Sequence, residues 1–243
     1  MIEFSLDTTV INETLVGNIA RVLGSKKIPC VLWGNYLLTI YGVPSIVDSI
    51  DFVVPDELVP AAVSALQHTS LGGCTEPKTC TAVAESRPSP IPVAHFHIDS
   101  EITVSLYKKS SMLWFLPSLR LSPSPNNTAP DIILATDSRL PPPRLGRGHG
   151  AFQADCFPVC VPSAHRLLEA YIRLIARTHG RSYEYFWMAM LTYIEEYVDG
   201  DGLLDEASLE KRCRIFYQEL KKCKRPVATL LEELKANLAR SMD

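Results

Sequence analysis

The chain has 243 residues, 47% of them hydrophobic and 21% charged, and a net charge of −3 at pH 7. This composition is that of an ordinary folded protein and excludes a largely disordered one. The slightly negative charge excludes the overall basic field on which general nucleic-acid binding depends. No apolar run approaches the roughly 18 residues that a membrane-spanning helix needs, so no membrane partner is expected.

The cysteines and the start of the chain predict the cellular compartment. The seven cysteines are odd in number and scattered, and the first residues, MIEFSLDTTVINETL, are acidic and lack the apolar core of a signal peptide. Both features are typical of a reduced, cytoplasmic protein. The basic run KKCKR at 221–225 leaves a nuclear location open.

Short apolar runs separated by turns predict alternating strands and helices in the first half of the chain, and longer amphipathic segments predict helices after it. In chain order the predicted elements are a helix at 11–23, a strand at 30–33, a helix at 35–41, a strand at 51–54, a helix within 55–67, a hairpin of 94–99 with 102–107, and four helices from 163 onward. The predicted class is therefore α/β with a mixed sheet. The predicted divisions are an N-terminal helix at 1–28, an α/β core at 29–161 and a helical C-terminal region at 162–243.

Residues 30–54 run from an apolar strand through a Gly34-Asn35 turn to Asp51 at the head of a second apolar strand, and this layout resembles the signature of the nucleotidyltransferase (polymerase-beta-like) superfamily. In that family a Gly-Gly or Gly-Ser turn between a strand and a helix is followed by an Asp-x-Asp motif on the next strand. Here Gly34-Asn35 is followed by thirteen residues and then by Ser49-Ile50-Asp51. The later segment VCVPSAHRLLEAYIRLIARTHGR is similar to the strand and helix after the core of small AbiEii-like or aminoglycoside-adenylyltransferase-like members. The resemblance implies a nucleotidyltransferase-like core.

The resemblance also implies a site for a nucleoside triphosphate and Mg²⁺. Gly34 would let the backbone approach the phosphates, and Asn35 would donate a hydrogen bond to them. Asp51 would be the metal ligand, and Ser49 would share its face of the strand because side chains alternate. Ser105, on a neighbouring strand, stands where the family carries its third acid.

Two of the family's three acids are therefore serines, which predicts a degenerate site with too little charge to hold two magnesium ions. Asp48 could replace Ser49 as a catalytic acid only if a bulge turned it to the same face. Arg173, in the segment that resembles the post-core helix, would face a nucleotide, and a surface position explains it equally well.

His95, His97 and Asp99 alternate along one predicted strand and would share one side of it. Such a face binds a transition metal or supplies a general base if the strand lies next to Asp51. We favour the interpretation that these residues form the polar side of a half-exposed strand, with Phe96 and Ile98 buried on the opposite side. We expect no strong metal site, because no fourth ligand is evident and Cys74 and Cys80 are too far apart in sequence for a Cys-x-x-Cys pair.

Three hypotheses follow for the function. The first is a catalytically degenerate, regulatory homologue that binds a nucleotide or a protein partner. The second is an active metal-dependent nucleotidyltransferase that moves a nucleoside monophosphate to a small molecule or protein, with Asp51 and either Asp48 or Asp99 holding the metal. The third is an interaction protein that does not bind nucleotides. The missing carboxylates favour the first.

Overall fold

The computed structural model describes residues 5–76, 79–84, 87–122 and 130–239. The chain forms two compact units, one of residues 1–87 with 91–162 and the other of residues 88–90 with 163–243. The elements of the first unit are, in chain order, α1 (Glu13–Ser25), β1 (Val31–Trp33), α2 (Gly34–Ile40), β2 (Ser49–Val54), α3 (Val59–Gln67), β3 (Gly72–Gly73), β4 (Ala94–His97), β5 (Thr103–Lys108), α4 (Lys109–Met112), β6 (Ile132–Leu134) and β7 (Cys160–Pro162).

The first unit is built on a five-stranded sheet in the order β1-β2-β5-β4-β3. β2 and β5 pair in parallel, whereas the other neighbours are antiparallel. All six residues of β2 are buried, as expected for a central strand covered on both faces. β6 and β7 form a separate antiparallel pair. The predicted mixed α/β class is confirmed.

Local sequence explains why these elements begin where they do. The side chain of Asn12 caps α1 by accepting a hydrogen bond of 3.0 Å from the backbone N–H of Leu15. Gly34 follows β1 with a φ of +68° and begins α2 directly, so that strand and helix meet without a loop. A glycine reaches this left-handed conformation without the steric cost that a side chain imposes.

The predicted hairpin of β4 and β5 is present, but its placement corrects one expectation. β4 pairs with β5 and not with β2, so the strand that carries His95 lies two positions away from the strand that carries Asp51. β5 lies between these two strands because it pairs in parallel with β2. The chain reaches the hairpin from β3, at the opposite edge of the sheet.

The second unit is helical, in agreement with the predicted C-terminal region. Its elements are α5 (Ala164–Thr178), α6 (Glu184–Tyr193) with a π-helical continuation (Ile194–Asp199), α7 (Lys211–Lys221) and α8 (Val227–Ala239). Tyr171 and Trp187 stack with their ring centroids 5.9 Å apart and join α5 to α6. Among the described helices, none is both long and apolar enough to cross a lipid bilayer.

Candidate functional site

Gly34 and Asp51 lie in direct contact at the junction of β1 and α2. Antiparallel pairing sets Trp33 opposite Asp51, so the first residue of α2 meets the Asp51 carboxyl group. A Cβ atom placed on Gly34 would lie 2.1 Å from Asp51 Oδ2, which is too close for any side chain. Gly34 therefore lies between a strand and a short helix, with Asp51 on the adjacent strand.

Three small polar residues form what we call the acid row: Ser49 and Asp51 of β2 and Ser105 of β5. Ser49 and Asp51 share a face of β2, and Ser105 is the register partner of Asp51. All three are buried, with Asp51 only 6% exposed. Asp51 thus carries the one carboxyl group of the row.

Burial controls the ionisation of Asp51. Loss of water around the carboxyl group raises its pKa to about 7, although hydrogen bonds from Ser49 and Ser105 and the positive charge of Arg87 act in the opposite direction. Oδ1 of Asp51 is buried and has no hydrogen-bond partner among the described residues. Burial therefore favours the protonated form of Asp51 at pH values where an exposed carboxyl group would be ionised.

Asp48, Asn35 and Arg87 form a polar group beside Ser49, at one end of the acid row. Oδ1 of Asp48 lies 3.4 Å from both Asn35 Nδ2 and Ser49 Oγ. The guanidinium of Arg87 approaches Oδ2 of Asp48 at 3.8 Å and donates a hydrogen bond of 3.2 Å to the carbonyl oxygen of Ala82. Asp48 directly precedes β2, and its assignment as a catalytic acid stays a prediction.

Arg87 is a site residue that sequence reasoning missed. It belongs to a Pro-, Ser- and Thr-rich stretch that reads as a surface loop. Its side chain is nevertheless only 12% exposed. The sequence signal available was a lone arginine in a polar loop, which is too common to identify a site.

His95 and His97 share the sheet face of the acid row, but Asp99 does not join them. His95 pairs with Ser105 across β4 and β5, so about two strand spacings, or roughly 10 Å, separate it from Asp51. Asp99 lies beyond the strand, where its carboxylate accepts hydrogen bonds of 2.7 Å from the backbone N–H groups of Glu101 and Ile102. It caps the hairpin turn.

Two cysteines meet the two histidines. Cys74, Cys80, His95 and His97, which we call the Cys/His cluster, bring one potential ligand atom each to within 4.8 Å of one another. The premise that no fourth ligand is available near the histidines is therefore wrong. That premise considered only spacing along the chain, whereas the folded chain brings the two cysteines to the two histidines.

Arg173 lies in the helical unit, on α5. There its guanidinium forms an ion pair of 3.9 Å with Glu210. Its assignment to nucleotide binding stays a prediction.

The residues of the acid row do not fit a two-ion magnesium centre. Mg²⁺ in phosphate sites is held by carboxylates together with the phosphates themselves, and two ions need more than one shared carboxylate. The row supplies Asp51 alone, and its raised pKa weakens it further as a ligand. Asp48 is the nearest second carboxylate, and it faces Arg87 at 3.8 Å.

Comparisons with known proteins leave the family open. Neither a protein-family model nor a curated protein matches the sequence. Among solved structures, the chain is similar to crystalline ANT(2")-Ia in complex with adenylyl-2"-tobramycin, at 10% identity and a TM-score of 0.43 over 86% of this chain and 98% of that one. It is also similar to the solution structure of the antibiotic-resistance factor ANT(2'')-Ia, at 12% identity and a TM-score of 0.38 over 95% and 92% of the two chains. Likeness at this level identifies neither an activity nor a ligand.

Proposed function

We propose that this chain is a nucleotidyltransferase-fold protein that binds the phosphates of a nucleotide in a regulatory role and does not transfer a nucleoside monophosphate. One observation carries the proposal: the acid row holds a single, buried carboxyl group between two serines. Metal-assisted nucleotidyl transfer requires carboxylates that share divalent ions with the phosphates and stabilise the charge of in-line displacement. Asp51 alone does not supply that charge.

Arg87 supports phosphate binding without a metal ion. Its guanidinium lies beside Asp48 at the edge of the row and is held by the carbonyl oxygen of Ala82. A guanidinium presents several N–H donors in a planar arrangement that matches phosphate oxygens. We therefore expect Arg87, together with Asn35 and the backbone at Gly34, to neutralise and orient phosphates that a magnesium ion would hold in an active enzyme.

A second candidate function rests on Asp48. Its carboxylate lies 3.4 Å from Asn35 Nδ2 and Ser49 Oγ, at the same end of β2 as the row. With Asp51 it would provide two carboxylates for one Mg²⁺, as the active-enzyme hypothesis requires. This candidate predicts that nucleotide binding depends on the metal, which separates it from the first.

The test is a calorimetric titration of the protein with ATP, in magnesium and again in excess EDTA. The proposal predicts binding of similar affinity in both buffers. Arg87→Ala should weaken that binding by about tenfold, the usual value of a charge-assisted hydrogen bond to phosphate. Arg21→Ala is the matched control, since Arg21 bonds only to Asn18 in the described structure of α1 and should leave the affinity unchanged.

The other outcomes each contradict the proposal. Binding that vanishes in EDTA favours the active, metal-dependent enzyme. Absence of binding in either buffer, by protein that melts cooperatively, favours an interaction protein without a nucleotide. Equal losses in Arg87→Ala and Arg21→Ala would remove the role given to Arg87.

A further inference from the structure

Four half-buried side chains of the Cys/His cluster converge on one point of the sheet surface. Cys80 Sγ lies 3.2 Å from His95 Nε2 and 3.6 Å from His97 Nε2. Cys74 completes the set, with all four ligand atoms within 4.8 Å of one another. Among the described residues, no other group of three or more His, Cys, Asp or Glu side chains converges in this way.

These distances suit a tetrahedral metal ion. Zinc binds thiolate sulfur at about 2.3 Å and imidazole nitrogen at about 2.0–2.1 Å, so sulfur and nitrogen ligands of one ion lie roughly 3.6 Å apart. The two sulfur–nitrogen distances at Cys80 are 3.2 and 3.6 Å. The rings of His95 and His97 meet edge to face, with centroids 5.2 Å apart, which lets both Nε2 atoms point toward the sulfur.

We propose that Cys74, Cys80, His95 and His97 form a zinc site. Two thiolates and two imidazoles are a ligand set that zinc favours over hard cations such as magnesium. With four protein ligands the coordination is complete and leaves no position for water. The site is therefore structural and not catalytic.

A neighbouring hydrogen bond orients one of the ligands. The ring nitrogen Nδ1 of His97 lies 3.2 Å from the backbone carbonyl oxygen of Asp99. A proton on Nδ1 donates to that oxygen, which leaves the lone pair of Nε2 directed at the cluster. Metal-binding histidines are commonly fixed in this way by a carbonyl group on the other ring nitrogen.

The fold explains why the four residues meet although their spacing forms no recognised motif. His95 and His97 alternate on β4 and so share one face. Gly73 of β3 pairs with Phe96 in an antiparallel arrangement. The residue after Gly73, which is Cys74, therefore lies on the side of His95, the residue before Phe96. Cys80 lies beside both rings, with its Sγ 3.2 and 3.6 Å from the two Nε2 atoms. A bound zinc ion would hold Cys74 and Cys80 against the sheet.

The experiment measures zinc in the full chain purified under reducing conditions from zinc-supplemented medium, after removal of any affinity tag. Elemental analysis should find one equivalent of zinc per chain. Replacing zinc by Co²⁺ should give the intense visible absorption of a tetrahedral site and a thiolate-to-metal charge-transfer band in the near ultraviolet. Cys80→Ser should lose most of the zinc. Cys223→Ser is the matched control, because Cys223 is exposed and lies outside the cluster.

A second readout covers the case in which Cys80→Ser fails to fold. Wild-type protein treated with a strong chelator should melt at a lower temperature and recover on addition of zinc but not of magnesium, because binding to the folded state stabilises it. Zinc well below one equivalent after loading, retention of zinc by folded Cys80→Ser, or Co²⁺ spectra without a thiolate band would each overturn the proposal. None of these results depends on nucleotide binding, so this proposal and the proposed function fail separately.

Discussion

The acid row and the Cys/His cluster occupy the same face of one sheet but relate to the sequence in opposite ways. The row has the spacing of a known motif, from Gly34 to Asp51, and has only one of the acidic donors that the motif needs. The cluster has no recognised spacing and yet brings four good ligands together. Spacing along the chain therefore indicated the position of the row but not that of the cluster, whereas in both the donor atoms present decide what can bind.

The contact between Gly34 and Asp51 predicts the largest loss of stability. In Gly34→Ala the new Cβ would lie 2.1 Å from Asp51 Oδ2 at a φ of +68°. Left-handed strain of roughly 1–2 kcal/mol and overpacking of roughly 1–3 kcal/mol together predict a loss of about 2–5 kcal/mol in the free energy of unfolding. Denaturant titration measures this loss.

Gly146→Ala is the matched control for that change. Gly146 has a φ of +73°, but a Cβ there meets nothing within 4 Å, so only the strain of roughly 1–2 kcal/mol is expected. In an Asp51→Ala background the cost of Gly34→Ala should fall toward that of the control, because the clashing oxygen is gone. Equal costs for both glycines in the wild-type background would show that Gly34 is not packed against the carboxyl group.

The next effect concerns the pH dependence of stability. The folded-state pKa of Asp51, about 7, lies above the ordinary value of 3.8, so the folded protein binds more protons than the unfolded chain between these pH values. The free energy of unfolding therefore falls as pH rises through this window, by roughly 4 kcal/mol from this group alone. Asp51→Asn should remove that slope and stabilise the protein above pH 7.

Asp56→Asn provides a control of opposite sign. Although partial burial raises it, the pKa of Asp56 is lowered overall by hydrogen bonds from Ser110 and by Lys108 and Lys109. Its contribution is present above the unfolded-state pKa and is lost as pH falls through the folded-state pKa, so its replacement should destabilise near neutral pH. Chemical denaturation at several pH values compares the two variants, and an unchanged slope in Asp51→Asn would contradict a buried, protonated carboxyl group.

Local pattern was enough to predict one part of this site and not the other. Short apolar runs and the Gly34 turn predicted β1, α2 and β2, and two further short runs predicted the hairpin of β4 and β5 that sets His95 opposite Ser105. The positions of Arg87 and Cys80 were not predicted, because they depend on side-chain contacts with Asp48 and with the two histidines. Loop contacts of this kind join residues far apart in sequence and leave no periodic signal.

Adding acids at the two serine positions of the row should create a magnesium site. In Ser49→Asp with Ser105→Asp, three carboxylates would surround one point, and we expect magnesium to strengthen ATP binding by about tenfold or more. Without magnesium the variant should be less stable than the wild type, because like charges crowd Asp51. Ser118→Asp with Ser122→Asp adds the same charge at exposed positions and should show neither effect.

The two serines of the row are expected to differ in how strongly they lower the pKa of Asp51. Hydrogen bonds from Ser49 and Ser105 both lower the pKa of Asp51, and that from Ser49 does so more strongly. Ser49→Ala should therefore raise this pKa more than Ser105→Ala, with a stability change of about 1 kcal/mol in each case. Carbon-13 NMR titration of the Asp51 carboxyl group measures the order, and a lower pKa in either variant would show that the serines do not stabilise the ionised form.

We propose that the acid row binds a nucleotide without performing chemistry on it. The direct test is magnesium-dependent incorporation of labelled nucleotide, measured for the wild type and for Asp51→Asn over a panel of small-molecule and protein acceptors, with ATP binding confirmed in the same samples. We predict that both proteins bind ATP and that neither incorporates label above the rate without protein. Robust incorporation by the wild type that disappears in Asp51→Asn would contradict the claim and establish an active enzyme that works with serines in place of two acids.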